Sequence, residues 1–229
     1  MRLASKATKI LAANKALLVF FGVMMVFRSA FADWMLVPTG SMNPTIVEGD
    51  RILVNKMAYG LRIPFTMTRV TDGEDPRRGD IVIFPSPKDG ITLVKRVVGL
   101  PGETVEMRDE RLFIDGDAIG YSASSEDDAD LPSATRAHRH EIVAEKLAAQ
   151  THPIMTLPDR PAARTFGPVT VPDGEYLVLG DNRDNSEDSR YIGFIPRDSI
   201  YGRAFGVAYS LDADRWYRPR FGRTFSSLR

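Results

Sequence analysis

The sequence predicts a mainly β domain, of the barrel or sandwich kind, preceded by one N-terminal transmembrane helix. Three observations carry this prediction. An apolar segment free of acids opens the chain, short apolar runs bounded by Gly, Pro and Asp fill the rest, and long helical periodicity is scarce. The 229 residues suit one to two domains, and 43% hydrophobic content is enough for a real core. Thirty basic and thirty acidic side chains cancel, which argues against a protein that mainly coats nucleic acid. The chain has no cysteine, so disulfides, cysteine-ligated zinc, iron–sulfur clusters and cysteine catalysis are excluded.

The N-terminus sets the topology. Arg2, Lys6, Lys9 and Lys15 are basic, and the first carboxylate is Asp33. The uncharged run 16–27 has twelve residues, whereas a bilayer core of about 30 Å needs about 20. The wider window 10–32 is long enough if Lys15 and Arg28 reach opposite interfaces and Trp34 lies in the aromatic belt. The basic excess then puts residues 1–9 in the cytoplasm, 10–32 in the membrane and 33–229 on the outer side. A cleavable signal peptide is the rival reading, because Ala30-Phe31-Ala32 is a small-x-small site; a buried soluble helix is the third.

Beyond Asp33, strands are expected at 34–37, 52–54, 81–84, 91–98, 104–107, 111–114, 118–121, 169–171, 176–179 and 204–209. Asp115-Gly116 reads as a hairpin turn, 142–150 as a short helix and 197–200 as a turn. Residues 122–164 are polar and rich in acids, and read as a surface excursion. His138, His140 and His152 lie there. No further ligand is patterned with them, so exposed loop histidines are expected rather than a metal site.

Three clusters can carry chemistry. In Pro38-Thr39-Gly40-Ser41-Met42-Asn43-Pro44-Thr45, a serine follows a glycine just after an apolar strand. Gly40 opens the approach to Ser41 and two prolines stiffen the loop; an ordinary turn is the plainer reading. The cluster is not G-x-S-x-G, so a nucleophile elbow is not supported. In Leu93-Val94-Lys95-Arg96-Val97, alternation sends Lys95 and Arg96 to different sides of a strand, one of them inward. A buried lysine loses charge solvation and becomes a usable base, whereas an edge lysine would only guard against aggregation. Residues 180–190 hold no apolar side chain, yet apolar strands bracket them. Arg183 and Ser186 break the calcium-loop pattern, so a hydrogen-bonded scaffold is expected.

Together the clusters resemble the boxes of bacterial signal peptidase I, a membrane-anchored serine protease with a Ser–Lys dyad. PTGSMNPT matches the serine box, GDIVIF with VKRVVGLPGE the lysine region, and GDNRDNSEDSRYIGFIP the most diagnostic box. The similarity covers about 28–107 and 166–208, more weakly 111–119, and leaves 122–164 without a family signature. Thr39 stands where many relatives have serine, and the anchor is short and single. The resemblance implies Ser41 as nucleophile, Lys95 as general base, Ser186 as the hydroxyl orienting the lysine, and the Ser41 N–H with the Thr39 hydroxyl as oxyanion donors. Asp188 and Arg190 would brace the loop as an ion pair, and Val37, Pro38, Ile46, Leu93 and Val94 would line the substrate pockets. Substrates would be exported preproteins cut after Ala-x-Ala-like sites by an enzyme seated on lipid at the bacterial inner membrane. No metal, cofactor or nucleic acid is implied.

Other readings remain. One is a dedicated maturation peptidase of a pilus or conjugation system, and another an inactive membrane-tethered β module. A self-cleaving repressor would need a helix-turn-helix, for which the basic apolar N-terminus leaves no room.

Overall fold

The computed structural model describes residues 14–66, 68–125 and 129–228. The chain enters through helix α1 (Lys15–Ala30), sixteen residues with Leu17, Phe20, Phe21 and Val23 exposed. At about 1.5 Å per residue such a helix is shorter than a bilayer core. Among the described residues no helix is long and apolar enough to cross a membrane. The described helix covers 15–30 of the expected span 10–32, of which residues 10–13 lie outside the described ones. Asp33 fastens the end of the helix to Lys56. It accepts from Arg28 Nε at 3.0 Å and from Lys56 Nζ at 3.1 Å, and the Lys56 amine also caps the Arg28 carbonyl. Arg28 is paired with Asp33 and stacked 4.1 Å from the Trp34 ring.

Among the described residues fifteen strands follow. The first five are β1 (Ala32–Leu36), β2 (Asp50–Asn55), β3 (Ile81–Pro85), β4 (Thr92–Gly99) and β5 (Thr104–Arg108). Then come β6 (Arg111–Ile114), β7 (Asp117–Ala118), β8 (Gly120–Ala123), β9 (Glu141–Leu147) and β10 (Gln150–Thr156). The last are β11 (Phe166–Thr170), β12 (Glu175–Leu179), β13 (Ile195–Pro196), β14 (Gly202–Asp212) and β15 (Arg218–Pro219). The main sheet runs β1-β2-β14-β3-β4-β12-β13, with β15 added beside β14. Its two ends do not pair among the described residues, so of the expected barrel or sandwich the closed barrel is not formed; two further sheets run β10-β9-β8 and β11-β5-β6-β7. Apolar alternation drives this arrangement. Ile52, Val54, Ile81 and Ile83 pack with Val37, Met42 and Ile46 in one cluster, and Val82, Phe84, Val97 and Val178 form another. Asp115 and Gly116 have φ of 52° and 87°, as a two-residue hairpin turn requires, and join β6 to β7.

Two expectations fail in the same stretch. Residues 142–150 are not a helix. They belong to the β9–β10 hairpin, in which Glu145 stands opposite His152. Nor is the stretch only a surface excursion: Glu145, His152, Ile154 and Met155 are buried. His138 is exposed as expected, but His152 is not. Its Nε2 lies 3.4 Å from Glu145 Oε1, and Glu145 in turn takes Arg183 Nη2 at 2.6 Å. Burial alone would raise the Glu145 pKa, but the Arg183 guanidinium and His152 outweigh it and hold the carboxyl below its usual range.

Cutting one side of so buried a pair strands the other charge. Glu145→Ala should therefore lower unfolding stability by about 3–5 kcal/mol, read as a fall in urea midpoint. A change under 1 kcal/mol would show that Arg183 finds water instead.

Candidate active site

β1 ends at Leu36, and Val37 N donates to Asp50 O, closing the loop that carries Ser41. Met42, Ile46 and Val47 are buried and pin the loop from below. Its top is tied to the polar segment after β12. Asn182 donates from its backbone N to Ser41 O at 3.1 Å and from its side chain to Gly40 O at 3.0 Å. The Thr45 hydroxyl donates to Asp181 Oδ2 at 2.5 Å. From the C-terminal segment, Arg223 donates to Thr45 O at 2.9 Å and to the buried Asp50 carboxylate at 2.7 Å. Ser41 is thus fixed through its backbone while its hydroxyl projects away.

Lys95 meets that hydroxyl. Its Nζ lies 2.8 Å from Ser41 Oγ and 3.0 Å from Val94 O, and the residue is 2% exposed. Burial lowers the amine from the ordinary 10.5 to about 8, while the carboxylates of Asp188, Asp181 and Glu187 pull it back up. Only one of Lys95 and Arg96 was expected inward, but both are buried. Arg96 makes a two-pronged pair with Asp181, Nε–Oδ1 at 2.8 Å and Nη2–Oδ2 at 2.7 Å, and also donates to Gly79 O. Adjacent residues of β4 therefore serve two partners on opposite sides of the strand.

Ser186 is buried, but among the described residues its Oγ has no hydrogen-bond partner, so the expected bond to Lys95 is not seen. Its proximity is set by Gly180. A Cβ there would lie 2.2 Å from Ser186 Oγ and 2.5 Å from Ser41 O, so no side chain fits. Asp188 accepts from Gly180 N at 3.0 Å and pairs with Arg190 Nε at 2.8 Å. Thr39 is exposed one residue before the short Gly40–Met42 turn. Of the expected pocket residues, Pro38 is exposed and Leu93 and Val94 are half-buried. Val37 and Ile46 are buried in the core cluster, so Ile46 backs the wall instead of forming its surface. Among the described residues no three His, Asp or Glu side chains are grouped to hold a metal.

Sequence reasoning missed what holds the loop. Asp181, Asn182 and Arg183 stood in a segment read only as a scaffold, and Glu145 and His152 lay in an unplaced one. Met155 N donates to Asp181 O and Arg183 N to Met155 O, both at 2.8 Å, so the hairpin pairs directly with the segment that grips Ser41. His152 Nε2 lies 3.8 Å from Asp181 Oδ1 as well. Burial, then the Arg96 charge, push the His152 pKa below its ordinary value.

A serine hydroxyl in contact with a desolvated amine, on a rigid loop, is the kind of pair that serine-type hydrolases use. The family described as "Signal peptidase, peptidase S26" matches residues 10–209. The chain belongs to this family and is a serine-type peptide hydrolase. It is 39% identical over 210 residues to a signal peptidase I of Pseudomonas fluorescens, covering 86% of this chain and 70% of that one. It is 38% identical to one of Pseudomonas aeruginosa, covering 88% and 73%. A probable signal peptidase I-2 of Synechocystis is 33% identical, with 85% and 68% covered.

The buried amine also makes a stability prediction. Below about pH 8 the folded chain must keep an ammonium out of water, and between 8 and 10.5 the unfolded chain binds more protons than the folded one. Wild-type stability therefore gains with pH across that window, by on the order of 3 kcal/mol. Lys95→Met should melt higher than wild type at pH 7, and its advantage should shrink by pH 10. Thermal melts at both pH values check this; an advantage independent of pH would sink it.

Proposed function

We propose that the chain removes N-terminal signal peptides from exported preproteins, cutting after small-x-small sites with Ser41 as nucleophile and Lys95 as general base. The observation that carries this reading is the 2.8 Å approach of a buried amine to the Ser41 hydroxyl. Ser41 Oγ attacks the scissile carbonyl as neutral Lys95 takes its proton. The Ser41 N–H and the Thr39 hydroxyl donate to the developing oxyanion. Collapse of that intermediate breaks the C–N bond, and the Lys95 ammonium returns the proton to the departing amine. Water then attacks the acyl-enzyme, Lys95 takes a proton from it, and Ser41 is regenerated. The Ser186 hydroxyl, without another partner among the described residues, would orient Lys95 during these transfers.

The sheet supports an extended substrate. β12 pairs with β4 only at Arg96 and beyond, so the same edge of Thr92–Lys95 carries no strand among the described ones. A peptide added there would gain backbone hydrogen bonds, with Leu93, Val94 and Pro38 admitting only small side chains. The exposed apolar groups of α1, followed by Trp34 and Leu36, support a seat on the inner membrane with residues 10–32 as the anchor.

Ser41→Ala and Lys95→Arg should each abolish turnover of a signal-peptide substrate, and combining them should cost little more, because the pair acts as a unit. Near wild-type rates in Lys95→Arg would refute the base, since guanidinium stays charged. Thr39→Ala should lower kcat by about 100- to 1,000-fold with KM nearly unchanged, and Thr39→Ser should stay active. A raised KM with kcat intact would make Thr39 a binding residue instead.

A further inference from the structure

A cavity of about 390 Å³ is walled by Ser186, Asn185, Glu187, Lys88, Arg160 and Tyr191, and its Ser186 end adjoins the serine loop, since Ser186 Oγ and Ser41 O both crowd the same face of Gly180. It begins at Ser186 and ends at Lys88, on the turn that leads into the open edge of β4, so it flanks the stretch where a peptide would lie. Its outer wall is built and not a loose loop. Arg160 N donates to Leu157 O, Leu157 N donates to Asp184 Oδ2, and Ala163 N donates to Tyr191 Oη, so residues 157–163 are fastened onto the segment 184–191.

The charges around it are unequal. Asp184 is answered by Arg164 at 3.0 Å. Glu187 is answered by Lys88 at 2.8 Å, across the mouth, in an exposed pair that a competing carboxylate can replace at little cost. Arg160 is exposed and forms no ion pair among the described residues. A cation on a fastened wall, in a cavity that also takes in Ser186 and Tyr191, suits a carboxylate on a short stem.

We propose that this cavity is a subsite for an acidic side chain of the preprotein close to the scissile bond, with Arg160 as the recognising cation. The proposal rests on the preprotein-cleaving reading above. It makes Arg160, in a stretch without family signature, a determinant of which exported proteins are cut fastest.

The test uses the full-length enzyme and a signal-peptide-derived substrate. Each of the three positions before and after the bond, apart from the small residues the cut requires, is set in turn to Asp or Lys. Within each enzyme the readout is the Asp-to-Lys ratio of kcat/KM, which overall activity does not alter. Wild type should favour Asp at one position on the order of fivefold. Arg160→Gln should flatten that ratio and Arg160→Glu should invert it, at the same position. A wild type indifferent to charge at every position, or ratios unchanged in both variants, would overturn the subsite. Failure of wild type to cut any of these peptides would instead remove the preprotein reading, and the subsite with it.

Discussion

The contact between the Lys95 amine and the Ser41 hydroxyl depends on keeping that amine out of water. An ammonium in solvent holds its proton to above pH 10 and cannot serve as a base at neutral pH. Burial under the serine loop brings it to about 8, although three carboxylates nearby oppose the change. The site must therefore hold acids close enough to build its scaffold while cancelling most of their charge. Asp181 is answered by Arg96 and Asp188 by Arg190, each through two prongs, and both carboxylates are buried. Buried pairs of this kind add little net stability but leave few alternative arrangements for the segment that bears them.

Position follows from the same segment. Ser41 is gripped through its own carbonyl and that of Gly40 by one residue, Asn182. Asn182 is in turn held by the strand-like pairing of its neighbours with Met155. Tension between chemistry and folding is visible here, since a lysine suited to catalysis is one the fold would be better without.

The candidate site was legible in the sequence where its residues are local. The serine box, the lysine in an apolar strand and the polar loop each break the pattern around them, and the Asp115-Gly116 turn is specified by two residues. What stayed hidden is non-local. Glu145 and His152 are seven positions apart in sequence but directly opposite in the β9–β10 register. Their stretch, with Ala144, Ala148 and Ala149, carries helix formers, and a buried Glu in the middle disguises the alternation. Arg223 reaches back to Thr45 and Asp50 from the C-terminal segment, which no spacing rule anticipates. The open sheet likewise could not be told from a barrel, because the number of strands does not say whether the first and last will pair.

The most direct test of the account is the protonation of Lys95 itself. In the full-length protein with ¹³C-labelled lysine, the Lys95 side-chain signal can be assigned by its loss on substitution and followed as a function of pH. The account predicts a midpoint near 8, well below the ordinary lysine value of 10.5. A Lys95 midpoint close to 10.5 would mean that the amine is charged at neutral pH in the folded enzyme, and would contradict the proposed role of Lys95 as the base that activates Ser41.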